Sequence, residues 1–367
     1  MTFSPDELSR YARHLSLQGF GPEAQEKLKR SRVLVIGAGG LGCPALLYLA
    51  AAGVGRIVIM DGDCVDVSNL QRQVLYTSDD AGQLKAEAAA RRLLALNPLI
   101  EIEPVAERFT RDNALERLHE CDLVLDGSDN FSTRYLVNDA CVIAGKPFVY
   151  GAIQGFEGQA SVFNYQGGPT YRCLFPEPPE PGTVPNCSEA GVLGVLPGLI
   201  GTIQATEAIK LLTGVGEPLS GRLLLWDSLT MTSRTLKLAI DPRSREIREL
   251  PPEDYGKTCS FSPMQLTTDE IDGPELKTKL NTVQLIDVRE DWERAVGAIL
   301  PSTHVPLGQL LNGSAKDAVA ALAAGKPTVI YCAHGMRSLK ALAVLRERYG
   351  FTQAQSLRGG YEAWKSQ

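Results

Sequence analysis

Residues 31–42, SRVLVIGAGGLG, constrain this chain more than any other stretch. Residues 32–36 form a short apolar run bounded by charge, which reads as a buried strand. Gly37, Gly39 and Gly42 follow in the spacing G-x-G-x-x-G, and from Leu41 through Ala52 the pattern is that of a helix. Strand, glycine turn and helix together make a phosphate cradle. Glycine lets the backbone approach closely, and the helix N-terminus offers unpaired N–H groups to an anion. A second apolar run, 56–60, ends at Asp61, where a ribose hydroxyl would need an acceptor. A nucleotide site follows from this, and the open question is what is done with the nucleotide.

At 367 residues the chain exceeds what one core usually serves, roughly 250–300 residues, so two domains are expected. Net charge is −6 with no basic tract, which argues against nucleic acid as the main partner. No uncharged apolar run reaches ~18 residues, so no membrane span is expected. The N-terminal residues lack the basic-then-apolar pattern of a secretory signal. The eight cysteines are scattered, as expected of reduced thiols in a cytoplasm.

Taken in order, the first thirty residues read as polar helix, with Arg13 in an amphipathic patch. After Asp61 a loop or short helix carries Asp63, Asn69, Arg72 and Gln73. A helix over about 81–96 carries Lys85 near its start and is stopped by Asn97–Pro98. Strands at 100–105 and 121–126 follow, the latter running into Gly127, Ser128, Asp129 and Asn130, then a helix at 131–144 and a strand at 147–151. This alternation predicts an α/β fold with a doubly wound, mostly parallel sheet, on which ligands gather at the carboxyl ends of strands. Gly37, Asp61 and Asp129 all lie just past strand ends and should converge. Residues 158–165 alternate like an antiparallel strand. The proline-rich stretch 175–187 then excludes regular helix or central strand and reads as an exposed loop. A helix at 201–213 and strands at 222–226 and 234–240 close the first domain.

Residues 241–265, rich in proline and charge, are the linker candidate. The domains are drawn as 1–245 and 266–367, with 246–265 between them. The second is a smaller α/β unit: a strand at 283–288, a helix at 315–324, a strand at 327–331, the loop CAHGMRS from Cys332 to Ser338, and a helix to about Tyr349.

A glycine fingerprint most often holds a dinucleotide for hydride transfer. Arg72 and Lys85 point elsewhere. Attack on an α-phosphorus develops negative charge on the phosphoryl oxygens, which favours a guanidinium, an ammonium and a metal ion placed there in advance. One carboxylate, Asp129, suffices to hold magnesium beside phosphates.

The motifs GAGGLGCP (37–44, including Gly40), SNLQRQ (68–73), GQLK (82–85), GSDN (127–130) and CSEAG (187–191) closely resemble, in order, those of the ubiquitin-activating-enzyme-like adenylyltransferases of molybdopterin and thiamine biosynthesis. The resemblance covers about 5–250. It implies that Asp61, Asn69, Arg72, Lys85 and Asp129 contact ATP and magnesium, and that Arg13 reaches the triphosphate of the neighbouring subunit in a homodimer. It further implies a substrate protein, a ubiquitin-like sulfur carrier ending in Gly-Gly, whose C-terminal carboxylate attacks ATP to give an acyl-adenylate and pyrophosphate.

Cys187, at the end of the proline-rich loop, matches a family position that accepts or resolves the activated acyl group. Family members often bind structural zinc through two C-x-x-C pairs, but here each pair keeps one cysteine, Cys173 and Cys259, so zinc is expected to be absent or weak. Cys332 follows a strand and opens a loop ending at a helix N-terminus. Loop N–H groups and the helix dipole there favour a thiolate, with Arg337 sharing that work. Residues 263–367 resemble a rhodanese domain, with DVRE (287–290) and the Cys332 loop as its signatures. They depart from it at Ala298 and Ser302, where the family has His and Gly. His334 is read as loop-shaping or solvated. The loop implies a persulfide on Cys332, loaded by a cysteine desulfurase or by thiosulfate. Two other readings stay open: a nicotinamide-dependent oxidoreductase with a sulfur-binding module, and a non-catalytic scaffold that binds carrier proteins.

Overall fold

A computed structural model describes residues 3–179, 191–251, 255 and 269–365. The chain divides into two units, 1–260 and 261–367. The first is built on eight strands: β1 (Arg32–Ile36), β2 (Arg56–Met60), β3 (Glu101–Val105), β4 (Leu123–Asp126), β5 (Phe148–Gln154), β6 (Glu157–Phe163), β7 (Arg222–Asp227) and β8 (Thr232–Lys237). Their order is β3-β2-β1-β4-β5-β6-β7-β8. β1 to β5 run parallel, and β6, β7 and β8 continue the sheet antiparallel.

The central strands are apolar without interruption because both faces are covered. Along β1, Val33 and Val35 enter one core, with Leu46 and Leu49 of helix Gly42–Ala52, Leu93 of Lys85–Leu96 and Ala205 of Leu196–Thr213. Leu34 and Ile36 enter the other, with Leu118 of helix Arg111–His119 and Val137 of Phe131–Ala144. The period-two alternation of a strand thus feeds two helical layers. The chain winds outward from β1 through β2 to β3 and then restarts at β4 on the other side of β1. That reversal opens a crevice at the carboxyl ends of β1 and β4, where such sheets bind ligands.

Two helices of the first unit begin away from the sequence reading, and in the second unit the helix expected at 315–324 is confined to Lys316–Ala320. The helix expected from about 81 begins at Lys85, because Gly82 adopts φ +83° and breaks the run, while Thr77 and Asp80 cap a separate short turn. The helix expected from 201 begins at Leu196, with Pro197 in its first turn, where a missing N–H costs nothing. Within the stretch read as linker, Leu250 and Tyr255 pack against the second core of the first unit.

The second unit carries a parallel five-stranded sheet, ordered β11-β10-β12-β13-β9. Its strands are β9 (Glu270–Ile271), β10 (Gln284–Asp287), β11 (Thr303–His304), β12 (Thr328–Tyr331) and β13 (Ala354–Leu357). Ile286 and Ile330 face helix Met336–Tyr349 through Ala341 and Leu345, while Leu285 and Val329 face Leu276 on the other side.

Candidate active sites

The glycine turn is shaped by close approach. Gly37 has φ +87°, and a Cβ there would lie 2.9 Å from the Gly127 carbonyl oxygen. A Cβ on Gly42 would lie 1.9 Å from the Gly37 carbonyl oxygen, so this position admits no side chain without moving the turn. Asp61 ties the turn to the end of β2. Its carboxylate accepts the Ala38 N–H at 2.8 Å and the Asp63 N–H at 2.9 Å. Burial raises the Asp61 carboxyl above its usual value, against the opposing pull of Lys85 and those two N–H groups. From below, the Tyr76 hydroxyl donates to the Ala38 carbonyl at 2.8 Å.

Over this turn lies a cavity of about 550 Å³. Gly37, Gly39, Gly40, Asp61 and Asp63 line one part of it, Arg72, Gln73 and Lys85 another, and Asp129 and Asn130 a third. The convergence expected of the strand ends is present. Lys85 is buried, with Nζ 3.4 Å from Asp63 Oδ2. Gln73 is buried, and among the described residues its side-chain oxygen has no hydrogen-bond partner. Asp129 is exposed at the cavity. Asn130 Oδ1 accepts the Thr133 N–H and so caps the following helix. Beneath them Asp126 is fully buried, accepts the Ser128 N–H at 3.0 Å, and fixes the loop that bears Asp129.

Three expected residues lie elsewhere. Gly42 sits under the turn and is not on the cavity wall. Asn69 ends the short turn Val67–Asn69, outside the lining, with its amide 3.4 Å from Ser68 Oγ. Arg13 is exposed on the short helix Ala12–Leu15, away from the cavity of its own chain. Arg108 and Phe109, which follow β3, also line the cavity, as does Tyr255. The strand-end rule covers the first two, but no motif marks them. Tyr255 arrives from the stretch that composition read as linker.

These groups fit a nucleoside triphosphate with a divalent cation. A glycine-rich turn would meet the phosphates, with a buried ammonium and a guanidinium beside it and an exposed carboxylate placed to take the ion.

In the second unit Cys332 follows β12 and is 1% exposed. The Gly335 N–H donates to its sulfur at 3.0 Å, with Gly335 at φ +100° opening helix Met336–Tyr349. Arg337 does not stand free beside the sulfur. Both arms of its guanidinium donate to Glu293, at 2.7 and 2.6 Å. Burial pushes the Glu293 carboxyl up, but the Arg337 N–H groups outweigh it and hold it below the usual glutamate value. Glu293 lies 44 residues before its partner, and the loop motif does not reveal it. His334 is exposed. Ser302, where the rhodanese pattern has Gly, accepts from Arg294 at 2.9 Å and sits 3.1 Å from the Tyr331 hydroxyl.

Cys187 and Cys259 lie outside the described residues. Burial raises the Cys173 thiol, yet hydrogen bonds to Ser244, Asp241 and Thr170 outweigh it and hold the thiol below its ordinary value. No cluster of three or more His, Cys, Asp or Glu able to hold a metal occurs among the described residues. Nor is any described helix long and apolar enough to cross a membrane.

Residues 11–246 match the ThiF family model, and residues 273–367 match the rhodanese-like domain. The chain belongs to the ThiF family. It is 45% identical to the probable adenylyltransferase/sulfurtransferase MoeZ of Mycobacterium tuberculosis, covering 99% of this chain and 94% of that one. It is 53% identical to the sulfur carrier protein adenylyltransferase of Thermus thermophilus, covering 71% of this chain and all of that one. Among solved structures, E. coli MccB superposes with a TM-score of 0.58 at 24% identity, over 66% of this chain and 74% of that one, which speaks to the fold.

Proposed function

We infer that this ThiF-family chain is an adenylyltransferase and sulfurtransferase that activates the C-terminal glycine of a ubiquitin-like sulfur carrier and converts it to a thiocarboxylate. The observation that carries this is the pairing of a cavity of about 550 Å³, with Lys85 and Arg72 beside a glycine-rich turn, with a cysteine loop in the same chain. A dinucleotide site needs the turn but not the two cations.

In the first step the carrier's carboxylate attacks the α-phosphorus of ATP and pyrophosphate leaves. Arg72, Lys85 and Gln73 meet the charge that develops on the phosphoryl oxygens. Asp61 holds the turn and the ribose end, a neighbouring subunit's Arg13 completes the triphosphate contacts in a homodimer, and Asn69, outside the lining, would join them only by turning toward the cavity. Asp129 would hold the magnesium ion, which neutralises phosphate charge when bound. In the second step Cys332, carrying a persulfide from a cysteine desulfurase or from thiosulfate, attacks the acyl-adenylate and expels AMP. A second thiol, Cys187 in this reading, then attacks the Cys332 sulfur. The thiocarboxylate leaves, and a disulfide remains for an external thiol to reduce. Covalent relay of this kind needs a good nucleophile facing a good leaving group, and linking both steps in one chain raises the local persulfide concentration. For Cys173 we propose a structural role in which its sulfur is engaged by Ser244 and Thr170, with zinc bound weakly or not at all.

Carrier-dependent ATP–pyrophosphate exchange tests the reading. Exchange that requires both the carrier and magnesium is expected. Tight nicotinamide-dinucleotide binding without exchange would replace it with the oxidoreductase reading, and carrier binding without exchange would replace it with the scaffold.

A further inference from the structure

Ser356 lies on β13, and Ile330 of β12, two residues before Cys332, is its register partner. Its side chain is fully buried, as is that of Ser338. The two hydroxyl oxygens are 2.8 Å apart. Ser338 Oγ lies 2.7 Å from the Gly335 carbonyl oxygen and 3.5 Å from Cys332 Sγ. Gly335 donates its N–H to that same sulfur at 3.0 Å. Ser356, on a strand outside the loop motif, therefore meets Ser338, and Ser338 in turn meets both the Gly335 carbonyl and the nucleophile.

Counting protons orients the series. A hydroxyl has one proton to give and two lone pairs to receive with. Among the described residues the Ser356 side chain has one hydrogen-bond partner, the Ser338 oxygen. If Ser338 gave its proton to Ser356, the Gly335 carbonyl and the sulfur would both lose that donor. The Ser356 proton would then stand in the core without an acceptor, an arrangement that native interiors avoid. Ser356 must therefore donate to Ser338, and the single Ser338 proton is confined to the side of Gly335 and Cys332. Receiving a bond at its oxygen also makes Ser338 the stronger donor.

We propose that Ser356 is a positioning residue for sulfur transfer: by donating to Ser338 it commits the Ser338 proton to the nucleophile loop. That proton rests on the Gly335 carbonyl while Cys332 is neutral and turns to Sγ whenever the sulfur becomes a thiolate. The proposal rests on the reading of Cys332 as the nucleophile. With thiosulfate as donor, the Cys332 thiolate attacks the outer sulfur. The new sulfur–sulfur bond forms as the donor's own breaks, and the electron pair leaves on sulfite. With cyanide as acceptor, carbon attacks the outer sulfur, thiocyanate leaves, and the electron pair of the broken bond returns to Sγ. Negative charge sits on Sγ at the start of the first step and at the end of the second, so the Ser338 donor serves both.

The test uses the full chain and transfer of sulfur from thiosulfate to cyanide. Ser356→Ala is expected to lower kcat about five-fold with KM for thiosulfate unchanged, the scale of one neutral hydrogen bond. Ser356→Thr keeps the hydroxyl and keeps kcat. Ser338→Ala costs more, and adding Ser356→Ala to it costs nothing further, since Ser356 acts through Ser338. Thermal unfolding checks that each variant is folded. If Ser356→Ala is not, Ser356→Cys, with similar volume and a weaker donor, carries the same expectation of lower kcat. An unchanged kcat, a change in KM instead, or a double variant whose loss is the product of the single losses overturns the proposal. Transfer that survives Cys332→Ala overturns the nucleophile reading itself.

Discussion

The cavity of the first unit and the cysteine loop of the second solve opposite problems. The cavity is assembled from distant stretches: a turn after β1, the ends of β2, β3 and β4, and a helix start at Lys85. It stays open and presents charge to a large polyanion. The Cys332 loop is seven residues long, Cys332 to Ser338, folds around one sulfur, and leaves the cysteine buried. An assembled site depends on the packing of a whole sheet, whereas a local loop depends on a few hydrogen bonds behind it. Substitutions should therefore separate the two units cleanly.

The largest effect is expected from Gly42→Ala. Its Cβ would meet the Gly37 carbonyl oxygen at 1.9 Å, so the turn or the helix must shift, at a cost on the order of 4 kcal/mol or more to the first unit. Calorimetry should show one unfolding transition lowered and the transition of residues 261–367 unmoved. Loss of both together would mean that the units do not unfold independently.

Next in size is Lys85→Ala. With the role proposed for Lys85, its removal should cut pyrophosphate exchange by about 10²–10³-fold. Thiosulfate-to-cyanide transfer should keep its rate, because that chemistry belongs to the other unit.

A smaller effect is expected of Glu293→Gln, which breaks the paired hydrogen bonds to Arg337. The pair is only partly shielded, so a loss of about 2 kcal/mol from the second unit is expected near neutral pH. Its pH dependence has a definite sign. The folded-state value of Glu293 is lowered from 4.5, so the carboxylate stabilises the fold above that pH and loses the contribution as pH falls through the lowered value. Denaturation curves of the two proteins should thus converge on acidification below 4.5. A constant gap would mean that the destabilisation arises from packing and not from charge.

The same contrast explains what could be read from the sequence. Strand alternation and the turn spacing were enough to bring Gly37, Asp61 and Asp129 together, because a doubly wound sheet gathers its strand ends whatever the loops contain, whereas Lys85, at a helix start, was marked by its motif and by phosphate chemistry. The Cys332 loop was legible because its geometry is local. What stayed hidden came from across the fold. Glu293 meets Arg337 only when β10 and β12 pair, Ser356 meets Ser338 only when β13 joins them, and Tyr255 enters the cavity from a stretch whose composition suggested no structure. Asn69 shows the converse, since the motif marked it but its side chain stands outside the lining.

The division of labour between the units is tested most directly by the intact mass of a sulfur-carrier protein incubated with ATP, magnesium and a sulfur donor. The wild-type chain should convert its C-terminal carboxylate to a thiocarboxylate. Cys332→Ala should leave the carrier unsulfurated while pyrophosphate exchange continues at the wild-type rate. Thiocarboxylate formed by Cys332→Ala, or exchange lost along with it, would contradict the account.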